Sequence, residues 1–168
     1  DYPALRMNHP RLWWTHELGK PSLYTLGLRF TTDGTVSDTR RIRFGIRTVS
    51  SYMTPEGFRG FRLNGRKILI KGGGWTDPML MDASPAYEEA GVDYAVHMHL
   101  NALRMEGFWG KDQHIYDLCD EKGILIRVGF SCQWEGGHFL GLPDDEYGPI
   151  RTPGMMQLAA ASWHDQLL

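Results

Sequence analysis

The sequence has little charge imbalance, few cysteines, no long apolar run and no familiar catalytic signature. Its 18 Lys and Arg stand against 20 Asp and Glu, for a formal net charge of −2 and a pI near 6.4. That balance offers no electrostatic reason to bind nucleic acid or an anionic membrane. Two cysteines in 168 residues exclude a small fold stapled by disulfides. Cys119 falls on the apolar face of a predicted helix and Cys132 follows a predicted strand. Two buried thiols are therefore expected rather than one disulfide, and the redox compartment stays open. No stretch approaches the ~18 apolar residues of a membrane span. The chain opens at Asp1 without a basic–apolar leader, which reads as a mature or excised segment. Neither a Gly-x-Ser-x-Gly elbow nor a His-Glu-x-x-His helix occurs. Gly72-Gly73-Gly74 matches neither the dinucleotide fingerprint nor the nucleotide-binding loop, so it reads as a sharp bend at a strand end. No internal repeat or low-complexity segment is visible.

What the sequence does contain is an ordinary globular composition, 42% hydrophobic and 23% charged, with six Trp, seven Tyr and seven Phe. Residues 1–20 read as irregular. From Ser22 the pattern alternates: Leu26, Leu28 and Phe30 answer Ile42, Phe44 and Ile46 across an Asp33-Gly34 turn. This predicts an antiparallel pair with one buried face. Residues 51–60 read as a linker. Asn64-Gly65 predicts a tight hairpin leading into a strand Ile68–Ile70. Ser84 and Pro85 mark a helix start, followed by Tyr87, Gly91, Tyr94 and Met98 at helical spacing. Asn101–Met105 is a buried strand. Asp112 and Gly123 bound a second helix whose inner face carries Ile115, Leu118 and Cys119. Ile124–Val128 is a third strand. Residues 131–153 form a long loop, and a last helix carries Met156, Ala160, Trp163 and Leu167 on one stripe. Strand–helix–strand–helix–strand predicts parallel pairing and an α/β architecture.

Each of the three strands ends in a polar or aromatic cluster, which is how α/β enzymes build a site. Trp75 and Asp77 follow the first. An indole face beside a carboxylate suits a sugar ring, though Trp75 could equally plug the end of the sheet while Asp77 caps a turn. Glu106 follows the second, where a carboxylate is costly unless paired or facing a cleft. Arg104 shares its strand face, so a structural ion pair competes with a substrate contact. Gly107, Phe108 and Trp109 add open backbone and aromatic surface. Trp134 and Glu135 follow the third strand, and two of the three carboxylates could form an acid–base pair for glycoside hydrolysis. His97 and His99, two apart on a helix, point to different sides, which argues against a shared metal.

The runs HPRLWWTHELGKPSLYTL, RIRFGIRTV, GFRLNGRKILIKGGGWTDPMLM, LNALRMEGFWGKDQHIYDLCDEKGILI and GFSCQWEG together resemble glycoside hydrolase family 2. The likeness is greatest to exo-β-D-glucosaminidases and related β-mannosidases. It implies that residues 1–55 are the last strands of an immunoglobulin-like β-sandwich. Residues 56–168 would be the first half of a (β/α)8 TIM barrel, with strands near Ile68–Lys71, Ala102–Met105 and Ile124–Val128. The family's retaining mechanism uses two glutamates, after barrel strands 4 and 7. Both would fall beyond Leu168, so no catalytic residue is assigned here and the segment alone is expected to be inactive.

The resemblance carries over substrate-binding roles only. Trp75 and Asp77 would meet the terminal sugar, Glu106 its 2-amino group, and Trp109, Trp134 and Glu135 would complete the rim. The implied partners are an oligosaccharide substrate and the remainder of the parent chain, with no cofactor, metal, nucleic acid or membrane, and an extracellular or periplasmic setting. A β-mannosidase, a β-galactosidase or a non-catalytic sugar-binding relic are the competing readings. His99 departs from the family's usual glycine at the helix end and would need a left-handed residue with a side chain.

Overall fold

The computed structural model describes residues 3–76, 78, 83–105, 113–129 and 150–167. A short 3-10 turn at Pro3–Leu5 leads into an irregular segment and then a hairpin, β1 (Leu23–Thr32) and β2 (Thr35–Gly45). Asp33 and Gly34 both take positive φ, 50° and 78°, as a type I′ turn demands. The register places Tyr24 opposite Phe44 and Leu26 opposite Ile42 on one face. That face is not buried as its alternation predicts: Leu28, Phe30 and Ile42 are 37%, 53% and 48% exposed. The pattern is that of a half-buried strand pair, but the described residues supply no second sheet to cover it.

The supposed linker at 51–60 is structured. β3 (Val49–Met53), β4 (Arg59–Leu63) and β5 (Arg66–Ile68) form an antiparallel sheet in that order. Pro55 and Gly57 are turn residues between β3 and β4. The Gly57 N–H donates to the Thr54 carbonyl at 2.9 Å, and the Thr54 N–H to the Phe58 carbonyl at 2.7 Å. Asn64 and Gly65 make the expected hairpin between β4 and β5, with φ of 49° and 80°.

The third sheet is parallel, in the order β6 (Gly72–Gly74), β7 (Ala102–Met105) and β8 (Leu125–Val128). The expected strand at Ile68–Ile70 ends instead at Ile68, within β5, and the glycine triplet is itself the first parallel strand. Glycine is needed at position 72, where a Cβ would fall on the Ala102 carbonyl. Helix α1 (Pro85–His97) lies between β6 and β7. Ser84 caps it by accepting the Tyr87 N–H at 3.2 Å. Its buried residues are Val92 and Ala95, whereas Tyr87, Tyr94 and Met98 are exposed. The aromatic spacing thus marks the outer side of the helix. His99 ends α1 at φ 55°, the left-handed residue with a side chain that its position required. Leu100 then donates back to the Ala95 carbonyl at 2.9 Å.

Helix α2 (His114–Lys122) starts at Gln113, whose side chain makes no capping bond, and stops at left-handed Gly123. Asp112, read as its cap, lies outside the described residues, as do Cys132 and most of the loop at 131–153. Val92, Ala95, Leu103, Met105, Ile115 and Leu118 form the heart of the core. Cys119 lies among them, and burial pushes its thiol up to about 12, so it packs as an inert apolar group. Helix α3 (Pro153–Leu167) leaves Met156 and Ala160 exposed and half-buries Met155, Ala159 and Ser162. Its inner stripe is displaced by one residue from the one expected. The side chains of Trp163 and Leu167 are outside the description.

The irregular N-terminal segment ties these parts together. Trp13 is fully buried, donates from Nε1 to the Asp120 carbonyl at 2.7 Å, and lies 4.4 Å beneath the Arg47 guanidinium. His16 donates its N–H to the Gly123 carbonyl at 3.1 Å, and its Nε2 lies 2.7 Å from the Leu100 carbonyl. The Glu17 carboxylate accepts from Lys71 Nζ and from Asn101 Nδ2. Lys71, Asn101 and Gly123–Ile124 all immediately precede parallel strands, so residues 13–17 lie across the N-terminal ends of that sheet. Arg43 and Arg47 add ion pairs from the hairpin to Asp117, Glu121 and Asp120 on α2.

Two outcomes are expected. With Leu28, Phe30, Ile42 and Leu69 exposed, and both β6 and β8 bordered on one side only among the described residues, the 168-residue chain alone should self-associate. Light scattering after size exclusion would contradict this by finding a cooperatively melting monomer. The Lys71 hydrogen bond holds Glu17 below the ordinary carboxylate range. Its stabilisation is therefore complete above the unfolded value of about 4.3 and lost as pH falls through the lower folded value. Melting temperature followed from pH 6 to about pH 3 should fall less steeply in Glu17→Gln than in the natural protein.

Candidate functional site

The C-terminal ends of β6, β7 and β8 are the edge at which the sequence places its polar clusters. Gly74, Arg104 and Arg127 are level with one another across the three strands. Trp75 donates its N–H to the Arg104 carbonyl at 2.8 Å, and Gly129 donates to the Met105 carbonyl at 2.9 Å. Three neighbouring strand ends thus lie on one edge, and Asp77, Glu106 and Trp134 follow them in the sequence. Trp75 is the one predicted site residue within the description. Asp77, Glu106, Trp109, Trp134 and Glu135 lie outside it.

Trp75 is partly buried and packs against the core. Its six-membered ring lies against Gly91 of α1, where no side chain intervenes. Tyr87 meets it edge-on, with centroids 6.0 Å apart and planes at 76°, and donates from Oη to the Thr76 carbonyl at 3.2 Å. The first turns of α1 thus clamp both the indole and the backbone beyond it. Gly91, whose spacing placed it on a helix face, is the seat of this ring.

Alternation along β7 turns Leu103 and Met105 toward the helices and Arg104 to the opposite face, where Arg127 lies beside it. Both arginines are exposed. Arg127 was not singled out from the sequence. Its signal was present in the parallel strings Ala-Leu-Arg-Met and Leu-Ile-Arg-Val, which repeat an arginine at the same position of two adjacent strands. His97 and His99 are both exposed, at and just beyond the end of α1. Among the described residues no three His, Cys, Asp or Glu side chains gather as a metal group would require, and no helix is long and apolar enough to cross a membrane.

Gly91→Ala is expected to destabilise the protein. Alanine gains about 1 kcal/mol of helix propensity, but overpacking a clamped indole costs about 1–3 kcal/mol, and the ring has Tyr87 behind it. The melting temperature should fall, and adding Trp75→Ala should relieve the loss. Gly91→Ala at or above the natural melting temperature would refute the clamp.

Comparison with known proteins gives this geometry a relationship. Residues 3–47 match the model of Glycosyl hydrolases family 2. The chain is 40% identical over 138 residues to an exo-β-D-glucosaminidase of Streptomyces avermitilis, covering 81% of this chain and 15% of that protein. It is 30% identical over 159 residues to a mannosylglycoprotein endo-β-mannosidase of Lilium longiflorum, covering 90% of this chain and 16% of that one. Among solved structures, the exo-chitosanase of Amycolatopsis orientalis superposes with a TM-score of 0.70 at 30% identity, over 78% of this chain and 16% of that one. The chain therefore spans about 15% of the length of the curated glucosaminidase from Streptomyces that it matches. By sequence and by fold alike, the chain is similar to a segment of glycoside hydrolase family 2 enzymes.

Proposed function

We propose that this chain is the part of an exo-acting retaining β-glycosidase in which an immunoglobulin-like sandwich passes into a (β/α)8 barrel. The hairpin β1–β2 would close the sandwich, and β6, β7 and β8 would be the first three barrel strands. The boundary near residue 55 falls in the turn between β3 and β4. The proposed substrate is a terminal β-linked glucosamine of a chitosan-type oligosaccharide. The observation that carries this reading is the common edge of three strand ends, next to which Trp75 is fixed. Such an edge, at the C-terminal side of parallel strands, is where barrel enzymes place their sites.

In this reading Trp75 and Asp77 shape the subsite for the terminal ring, and Glu106 pairs with the 2-ammonium group. Trp109, Trp134 and Glu135 complete the rim. The bond is cut by two glutamates elsewhere in the natural chain, one protonating the leaving oxygen and one forming the glycosyl-enzyme. The 30% identity to an endo-β-mannosidase supports a second reading, mannoside hydrolysis, in which position 106 has no ammonium to meet. A β-galactosidase would share that lack. A non-catalytic sugar-binding relic would lack a glutamate at the tip of the barrel strand that follows α3.

Glu106→Gln in the full natural chain separates the sugars. Loss of the charge should lower kcat/KM on chitosan oligomers about 10- to 100-fold, the cost of a charged hydrogen bond worth about 1.5–3 kcal/mol. Turnover of an aryl β-mannoside should barely change. Equal loss on both would end the amine-pairing assignment.

A further inference from the structure

Glu88 and His114 form a contact to which neither the family likeness nor the predicted site gives a role. Glu88 lies in the first turn of α1 and His114 opens α2. Glu88 Oε2 and His114 Nδ1 are 2.6 Å apart, with the Glu88 side chain 13% exposed and that of His114 33% exposed. An ionised carboxylate only accepts, so the proton between them belongs to Nδ1, and the bond is directional. Tyr87, the neighbour of Glu88, holds Thr76 and Trp75. One turn of α1 therefore holds both the exit of β6 and the start of α2.

The core already ties these parts together: Ile115, next to His114, is buried in one cluster with Val92 and Ala95, and Trp75 packs against that cluster. Apolar packing of this kind is non-directional. A partly buried hydrogen bond to a carboxylate adds little net stability, because desolvation offsets most of its attraction. What it does supply is a fixed length and angle between the starts of the two helices. The segments 77–83 and 106–112, which carry Asp77, Glu106 and Trp109, end at those helix starts.

The geometry points to Glu88 as a positioning residue acting through His114, setting the separation of the two strand exits so that one terminal sugar meets both. This rests on the proposed sugar-binding edge. Neither residue touches the substrate.

The test uses the full natural chain with Glu88→Ala, His114→Ala, the double variant, and the conservative Glu88→Gln and His114→Asn. Both alanine variants should raise KM for a β-glucosaminide about tenfold, in keeping with the cost of small misplacements, with kcat within about twofold. The double variant should be no worse than either single one, because the two act as one unit. Gln and Asn, which keep a Nδ1–H acceptor and a donor in its place, should restore most of the natural KM. A fall in melting temperature with KM unchanged would reduce the pair to helix packing and overturn the proposal, as would additive losses.

If the natural chain hydrolyses no β-glycoside, the proposed function fails, and the brace is judged by hydrogen exchange. Glu88→Ala should then speed exchange in Gly72–Thr76 and in His114–Leu118 together. Acceleration confined to one of them, or absent from both, would refute the brace.

Discussion

The side-chain amide of Asn101 is the contact on which the arrangement depends. Its Oδ1 accepts the Lys71 N–H at 2.8 Å, and its Nδ2 donates to the Leu69 carbonyl at 2.9 Å and to Glu17 Oε2 at 3.2 Å. Its own backbone donates to the Lys71 carbonyl and accepts from the Leu125 N–H, each at 2.8 Å. One residue, 1% exposed, thereby joins the irregular N-terminal segment, the passage from β5 to β6, and the first residues of β7 and β8. Buried polar groups left without partners cost about 1–3 kcal/mol each. A hydrophobic side chain at 101 would strand the Lys71 N–H and the Leu69 carbonyl together. Aspartate would offer acceptors where Leu69 and Glu17 already present oxygen.

This concentration of polar order at one end has a consequence at the other. Lys71, Asn101 and Gly123 precede the strands, and residues 13–17 cover them with hydrogen bonds and the packed indole of Trp13. The N-terminal ends of the sheet are thus fixed by contacts that serve stability. At the C-terminal ends the described ties include the clamp of Trp75 and Tyr87 and the pair of Glu88 with His114. A parallel sheet whose N-terminal ends are fixed in this way can vary the loops at its other end without losing its register. The hairpin β1–β2 belongs to the closed side, since its arginines reach α2 near Asp120 rather than the strand exits.

Local signals were the most legible part of the sequence. Asn64-Gly65 and Asp33-Gly34 dictate their turns because two consecutive positive φ values leave few other residues. Ser84-Pro85 and Gly123 mark helix ends because their chemistry acts within a few residues. Failures came where the answer depended on a distant partner. The apolar face of β1–β2 has a core pattern, but burial needs a second sheet. The tyrosines of α1 are as apolar in spacing as Val92 and Ala95, and only the position of β7 decides which side is inner. The glycine triplet reads as a bend until Ala102 is placed against Gly72, when the missing Cβ becomes a condition for pairing. Of the candidate site, sequence marked the three strand ends but passed over Arg127, whose place beside Arg104 the repeated strings hint at and the register establishes.

That pair of arginines sharpens what the proposed substrate requires. Two guanidinium groups on adjacent strands, about 4.8 Å apart at the backbone, share the face where the sugar would sit. An ammonium sugar approaching them alone would be repelled, by about 1 kcal/mol at close range even in water and by several in a cleft. Under the proposed amino-sugar reading, Asp77, Glu106 and Glu135 would have to act as a set, together outweighing whatever guanidinium charge is not already paired and leaving a carboxylate for the 2-ammonium group. A neutral mannoside places no such demand on the set. On that proposal, specificity at this edge would follow the summed charge of the three strand exits rather than any one residue.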